Sequence, residues 1–103
     1  MTVKLRFAPS PTGKLHVGNA RTALVNYLFC KSKNGEMLLR IDDTDQERSK
    51  PEYEKSIKED LNWLGIFWDK TDRQSSRLNN YNDALQHLFD IGRAYRCLSL
   101  IHI

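Results

Sequence analysis

Cysteine is scarce in this chain, with two in 103 residues. Cys30 and Cys97 lie far apart and neither belongs to a C-x-x-C pair, so neither a disulfide framework nor a zinc cluster is indicated. No apolar run approaches the roughly 20 residues that span a bilayer. The opening "MTVKLRFAPS" lacks the apolar stretch and small-residue cleavage site of a secretory signal. The expected compartment is therefore the cytoplasm, with no membrane partner. Internal repeats and low-complexity linkers are missing too, so the chain reads as one domain or one piece of one. There is also no G-x-x-x-x-G-K-[ST] and no G-x-G-x-x-G, which excludes a Walker loop and a dinucleotide fingerprint.

What is present is an ordinary globular composition, 40% hydrophobic and 28% charged with a net charge of +3. At this length a modest core is possible, but an enzyme that must cover several substrates would be small. The charge is unevenly spread. Residues 1–35 carry six basic side chains (Lys4, Arg6, Lys14, Arg21, Lys31, Lys33) and no acidic one, whereas Glu36 to Asp72 holds 11 acids against 6 bases. The first segment favours an anionic ligand; the second argues against a nucleic-acid surface along the whole chain.

Val3, Leu5 and Phe7 alternate with Lys4 and Arg6, the period-two pattern of a short strand. A loop from Ala8 to Lys14 follows. From about His16 to Lys33, Val17, Ala20, Ala23, Leu24, Tyr27 and Leu28 recur at spacings of three and four, which predicts a helix. It should stop at Asn34-Gly35, with glycine taking the left-handed conformation. "EMLLRI" over 36–41 reads as a largely buried second strand, a helical continuation being the alternative that periodicity leaves open. Strand, helix, strand makes a βαβ unit with parallel strands and a right-handed crossover. Ser49 and Glu52 stand at capping-box spacing around Pro51, so a second helix starts there, with Tyr53, Ile57, Leu61 and Leu64 on one face as far as Gly65. "IFWD" reads as a brief extended piece. A third helix is expected from about Leu78 to Ile91, with Tyr81, Ala84, Leu85 and Leu88 inward and Gly92 as its stop.

The stretch "FAPSPTGKLHVGNARTAL" thus joins the C-terminal end of a strand to the start of a helix, the edge where open parallel sheets bind ligands. A helix start offers unpaired N–H groups and a partial positive charge, suited to phosphate. Pro9 and Pro11 stiffen the approach, Gly13 and Gly18 allow close contacts, and Ser10 and Thr12 supply hydroxyls. His16 has two readings: a capping or packing residue, or a donor to a phosphate oxygen. Ser10 reads equally as a turn former, and the acidic run at 42–47 as an exposed loop.

The same stretch resembles the first signature of the class I aminoacyl-tRNA synthetases, in its glutamyl-tRNA synthetase form. "LLRIDDTDQERS", "LNWLGIFWD", "RQSSRLNNY" and "GRAYRC" resemble that family in the same order, nearly to Cys97. The resemblance implies an α/β, Rossmann-like nucleotide-binding fold, here incomplete: a βαβ unit followed by helices. It makes residues 1–97 the N-terminal part of the catalytic domain and residues 98–103 an atypical tail. It implies ATP binding by Pro9, Ser10, Pro11, Thr12, Gly13, His16, Gly18 and Asn19, with His16, Gly18 and Asn19 closest to the chemistry. His16 would contact ATP phosphate, and Gly18 would let adenine lie against bare backbone. Asn19 stands where many class I enzymes have a second histidine, a departure common in the glutamyl branch. Glutamate binding is implied for Arg6, Ala8, Ser10 and Asp42, the last toward the substrate ammonium, though aspartate is one methylene shorter than the frequent glutamate. Arg6's planar fork suits a carboxylate on physical grounds as well.

The implied activity is ATP-dependent attachment of glutamate to tRNA(Glu) through a glutamyl-adenylate, with magnesium accompanying ATP and a monomeric complete enzyme. Alternatives are a relative that glutamylates a modified nucleoside of tRNA(Asp), and a non-catalytic nucleotide- or tRNA-binding module. No Lys-Met-Ser-Lys-Ser type signature and no anticodon-binding domain is found, so the chain reads as part of a longer enzyme, inactive alone, with Leu38, Leu39, Trp63 and Phe67 left partly wet. Some members begin a zinc site at C-x-C near the end of this stretch. Here Ser99 replaces the second cysteine, and no metal is expected.

Overall fold

"EMLLRI", expected to be a largely buried strand, becomes the central strand of a three-stranded parallel sheet, buried at every second residue. A computed structural model describes residues 2–97; Ser99 and the rest of the tail at 98–103 lie outside the described residues. The elements run β1 (Lys4–Phe7), α1 (Val17–Ser32), β2 (Glu36–Ile41), α2 (Pro51–Trp63), β3 (Lys70–Arg73), a 3₁₀ turn (Ser75–Arg77) and α3 (Leu78–Asp90). Strand order is β1-β2-β3, with Phe7 opposite Leu39 and Leu39 opposite Thr71. The expected βαβ unit is present, and a third strand extends it into two overlapping units.

That strand falls on "KTDR" and not on "IFWD". Its residues are polar because it lies at the edge and pairs on one side, so they carry no apolar alternation. Asp69 initiates the pairing: its N–H donates to the Met37 carbonyl at 2.8 Å and its carboxylate accepts from the Met37 N–H at 2.7 Å. Ile66, in the preceding segment, is a buried anchor.

Successive β2 side chains point to opposite faces. Met37, Leu39 and Ile41 are buried with Phe7, with Ala23 and Cys30 of α1, and with Ile57 and Leu61 of α2, so both helices cover one face, as two right-handed crossovers in the same direction require. Leu39, expected to be partly wet, is 1% exposed because it lies under both helices. The opposite face carries Lys4, Arg6, Glu36, Leu38, Arg40, Lys70 and Asp72. It is laced with ion pairs: Glu36 with Lys70 at 2.8 Å and with Lys4 at 4.0 Å, and Arg77 with Asp72 at 2.5 Å.

Four local expectations change. At the end of α1 the left-handed residue is Asn34 (φ 50°), not Gly35; Gly35 is required instead by close approach, since a Cβ there would lie 2.5 Å from the Val3 carbonyl oxygen. The N-cap of α2 is Lys50, not Ser49, because Pro51 holds the residue before it in extended backbone (φ −132°, ψ 141°). Within α1 the buried seam is narrow, Ala23 and Cys30, while Val17, Leu24 and Leu28 face outward. Tyr81, Leu85 and Leu88 of α3 are likewise exposed: the helix packs mainly on its own 3₁₀ turn, and no described strand lies under its apolar stripe. Trp63 and Phe67 are exposed as expected. Among the described residues no helix is long and apolar enough to cross a membrane.

Candidate functional site

The loop after β1 is stitched to what surrounds it. The Pro9 carbonyl accepts from the Asp42 N–H at 3.0 Å, and the Pro11 carbonyl from the Lys50 N–H at 3.1 Å. Both prolines are buried. Each has a fixed φ, so the start of the loop is anchored at both prolines.

It encloses a cavity of about 470 Å³. Ala8, Pro9, Ser10, Thr12, Gly13, His16 and Asn19, all anticipated as site residues, line it, with Lys14, Leu15 and Ile57 of α2. Lys14 was not anticipated, although its position in the acid-free first third was a signal. Its exposed side chain adds positive charge to a lining that also includes the hydroxyl residues Ser10 and Thr12.

His16 is the N-cap of α1. Its backbone is extended (φ −113°, ψ 170°), and its Nδ1 accepts from the N–H of Gly18 at 3.1 Å and of Asn19 at 3.3 Å. The two readings of His16 are therefore compatible. An Nδ1 that accepts carries no proton, so the proton of the neutral ring is on Nε2, which remains a donor.

Arg6, Pro11, Gly18 and Asp42 are not on the walls of this cavity. Pro11 is a structural support lining a smaller neighbouring cavity of about 250 Å³ with Asp43, Ser49 and Arg73. Gly18 lies against the His16 ring. Arg6 is exposed on the outer face of the sheet, where it lines a separate cavity of about 300 Å³ with Lys4, Glu36, Leu38 and Lys70. Asp42 immediately follows β2, and both its oxygens are engaged by Arg40, Oδ1 from Nε at 2.6 Å and Oδ2 from Nη2 at 3.0 Å. The Asp42 carboxylate in turn raises the guanidinium pKa through this hydrogen bonding, against the effect of burial. A carboxylate has about four acceptor positions, so Asp42 retains capacity for a further donor. Arg40 had no distinguishing signal in the sequence, since an arginine in a strand is by itself ordinary.

The acidic run is more than an exposed loop. Asp43 accepts from the N–H and hydroxyl of Ser75, and Asp45 from the backbone and guanidinium of Arg48, which holds the Asp45 carboxyl below the usual range. Among the described residues no three His, Cys, Asp or Glu side chains form a cluster able to hold a metal ion.

Comparison with known proteins bears on the family. The family model described as "tRNA synthetases class I (E and Q), catalytic domain" matches residues 2–100. Glutamate--tRNA ligase 1 of Orientia tsutsugamushi (strain Ikeda) is 58% identical over 97 residues, 94% of this chain and 22% of that protein. Glutamate--tRNA ligase 2 of Ruegeria sp. (strain TM1040) is 62% identical over 90 residues, 87% of this chain and 20% of that protein. A crystal structure of a glutamate tRNA ligase from Elizabethkingia meningosepticum in complex with its amino acid superposes with a TM-score of 0.80 at 41% identity, over 87% of this chain and 20% of that one. The chain thus spans about a fifth of the length of the curated relatives it matches.

Proposed function

Because the chain belongs to the class I tRNA synthetases of the glutamate and glutamine type, we propose that it supplies the nucleotide- and amino-acid-binding part of an enzyme that attaches glutamate to tRNA(Glu). The observation that carries this reading is His16, whose Nδ1 caps the head of α1 beside a cavity lined by Ser10, Thr12 and Gly13.

The triphosphate of ATP occupies that cavity, with its oxygens toward the start of α1, the Ser10 and Thr12 hydroxyls and the Nε2–H of His16. The α-carboxylate oxygen of glutamate attacks the α-phosphorus, the bond to pyrophosphate breaks, and a glutamyl-adenylate forms. A terminal hydroxyl of the tRNA then attacks the acyl carbon and AMP leaves. His16 stabilises charge that grows on the phosphate oxygens in the first step; no covalent step runs through the protein. On the neighbouring face Arg6 takes a substrate carboxylate and Asp42, with Ala8 and Ser10 beside it, the ammonium.

The cavity lining includes no carboxylate, so it does not offer a protein-held magnesium ion its usual anionic oxygens. The magnesium expected here belongs to the nucleotide. The relatives' names favour tRNA(Glu) over the tRNA(Asp) alternative. A cytoplasmic location and a monomeric complete enzyme accompany the proposal. Residues 1–103 by themselves are expected not to turn over, since no Lys-Met-Ser-Lys-Ser type segment lies among them.

The test is glutamate-dependent ATP–pyrophosphate exchange by the complete enzyme, followed by charging of purified tRNA(Glu) and tRNA(Asp). His16→Ala is expected to slow exchange by about 100-fold, the loss of one transition-state donor, with a smaller change in ATP affinity. Unchanged turnover refutes the role of His16, and charging of tRNA(Asp) alone refutes the choice of tRNA.

A further inference from the structure

We infer that Arg77 is a positioning residue for Asp42: by engaging Asp72 it leaves the Arg40 guanidinium to Asp42. The inference rests on the assignment of Asp42 to the substrate ammonium and adds to it how that carboxylate keeps its partner.

In register, Arg40 of β2 stands directly opposite Asp72 of β3, and both side chains are half-buried. Opposite charges placed across neighbouring strands ordinarily pair. Here they do not. Arg40 donates from Nε and Nη2 to Asp42, at 2.6 and 3.0 Å. Asp72 accepts from the Arg73 N–H at 2.9 Å, and its Oδ2 is paired with Nη2 of Arg77 at 2.5 Å. The guanidinium of Arg73 is turned to Glu54, so among the described residues Arg77 supplies the cation that Asp72 holds.

Asp72 is nonetheless within electrostatic reach of Arg40: the hydrogen bonding of Asp42 chiefly raises the guanidinium pKa, and the charge of Asp72 adds to it. Two carboxylates thus compete for one planar fork, which can be bidentate to one of them at a time. Arg77, in the 3₁₀ turn after β3, decides the competition by neutralising the carboxylate that faces Arg40 across the ladder. Without it Asp72 draws at least one donor from Arg40, and Asp42 loses the two-point contact that orients it.

The experiment uses the complete enzyme. In a substrate-free crystal structure of Arg77→Ala, Arg40 should donate to Asp72 and no longer hold Asp42 through two donors. KM for glutamate should rise about fivefold, with kcat and KM for ATP changed less than about twofold. Arg77→Lys, which keeps the charge, should stay within about twofold of the unsubstituted enzyme. The deciding variant combines Arg77→Ala with Asp72→Asn. Asparagine keeps an acceptor for the Arg73 N–H but has no charge to draw Arg40, so the double variant should return Arg40 to Asp42 and KM for glutamate to within about twofold of its original value. Should Arg77→Ala fail to fold, Arg77→Gln, which keeps part of the apolar stem and removes the charge, takes its place. An Arg40 still bidentate on Asp42 in the single variant overturns the inference. So does a double variant as impaired as the single one, which would place Arg77 in support of the turn, or a loss shared equally by glutamate and ATP. An Asp42→Ala enzyme with unchanged KM for glutamate would count instead against the amino-acid site, and the structure of Arg77→Ala decides the pairing independently of it.

Discussion

Asp43, in the loop after β2, and Ser75, at the start of the 3₁₀ turn after β3, are joined twice: the carboxylate of the first accepts from the N–H of the second at 2.9 Å and from its hydroxyl at 2.6 Å. This contact ties the loop after β2 to the end of β3, beside Pro11 of the cradle. Both bonds involve a charged acceptor and are partly buried, so they are stronger than an ordinary surface contact.

Asp43→Ala should accordingly destabilise the protein by about 1–3 kcal/mol, because it leaves a part-buried N–H without a partner. Urea unfolding measures this. Proteolysis should also become faster between β3 and α3, which are held to the rest of the fold partly through Ser75. A midpoint unchanged from that of the unsubstituted protein would mean that the contact is replaced by solvent at no cost.

Gly35→Ala should cost about 1–3 kcal/mol, the usual penalty for forcing atoms into a packed site. The methyl would stand 2.5 Å from the Val3 carbonyl oxygen, the acceptor for the Glu36 N–H at the start of the β1–β2 ladder. The obstacle is backbone and cannot rotate away. Gly65→Ala would act differently, through the left-handed φ of 78° with open space around it. Thermal unfolding of the two variants, with Gly13→Ala as a control in open surroundings, separates the mechanisms.

Arg40→Ala should weaken glutamate by about tenfold, roughly 1.4 kcal/mol, and ATP much less. Asp42 is half-buried and bidentately held, so removing Arg40 leaves its carboxylate without the group that orients it. Steady-state KM values for both substrates decide the matter. Parallel losses would show that the pair serves the fold and not the amino-acid site. Combined with Asp42→Ala, the effects should be less than additive if the two act as a unit.

Acid should loosen the outer face of the sheet. The hydrogen bond from Lys70, then its charge, holds the Glu36 carboxyl below the usual glutamate range, and Glu36 raises Lys70 in turn. For Glu36 the folded pKa lies below the unfolded one, so its contribution is complete above about pH 4.3 and disappears as pH falls through the depressed value. For Lys70 the sign reverses: the contribution is complete below about pH 10.4 and disappears as pH rises through the raised value. Stability attributable to the pair is therefore flat in between. Glu36→Gln should remove a small acid-limb dependence, and 1 M salt should shrink the difference, since the ammonium of the pair is largely exposed. A Glu36→Gln variant whose acid limb matches that of the unsubstituted protein would refute the assignment.

How much of this was legible without coordinates depends on which interactions decide each feature. Alternation of Lys4, Leu5, Arg6 and Phe7, the spacing along α1 and α2, and the left-handed stops at Gly65 and Gly92 are local, because a period or a backbone angle depends on a residue and its near neighbours. The cradle was legible for the same reason: a proline-stiffened loop between a strand and a helix is a local object, and all but a few of its anticipated residues line one cavity. Tertiary structure alone decided the rest. "KTDR" is a strand because β2 offers it an edge, and Gly35 is needed because Val3 passes close by. The stripes of α1 and α3 look equally apolar in sequence, yet burial depends on what lies opposite: Ala23 and Cys30 are buried under the sheet, and Leu85 and Leu88 stay exposed. The pairing of Asp42 with Arg40 follows the same rule, since a strand places residues i and i+2 side by side but leaves the partner of each charge to the packing around it.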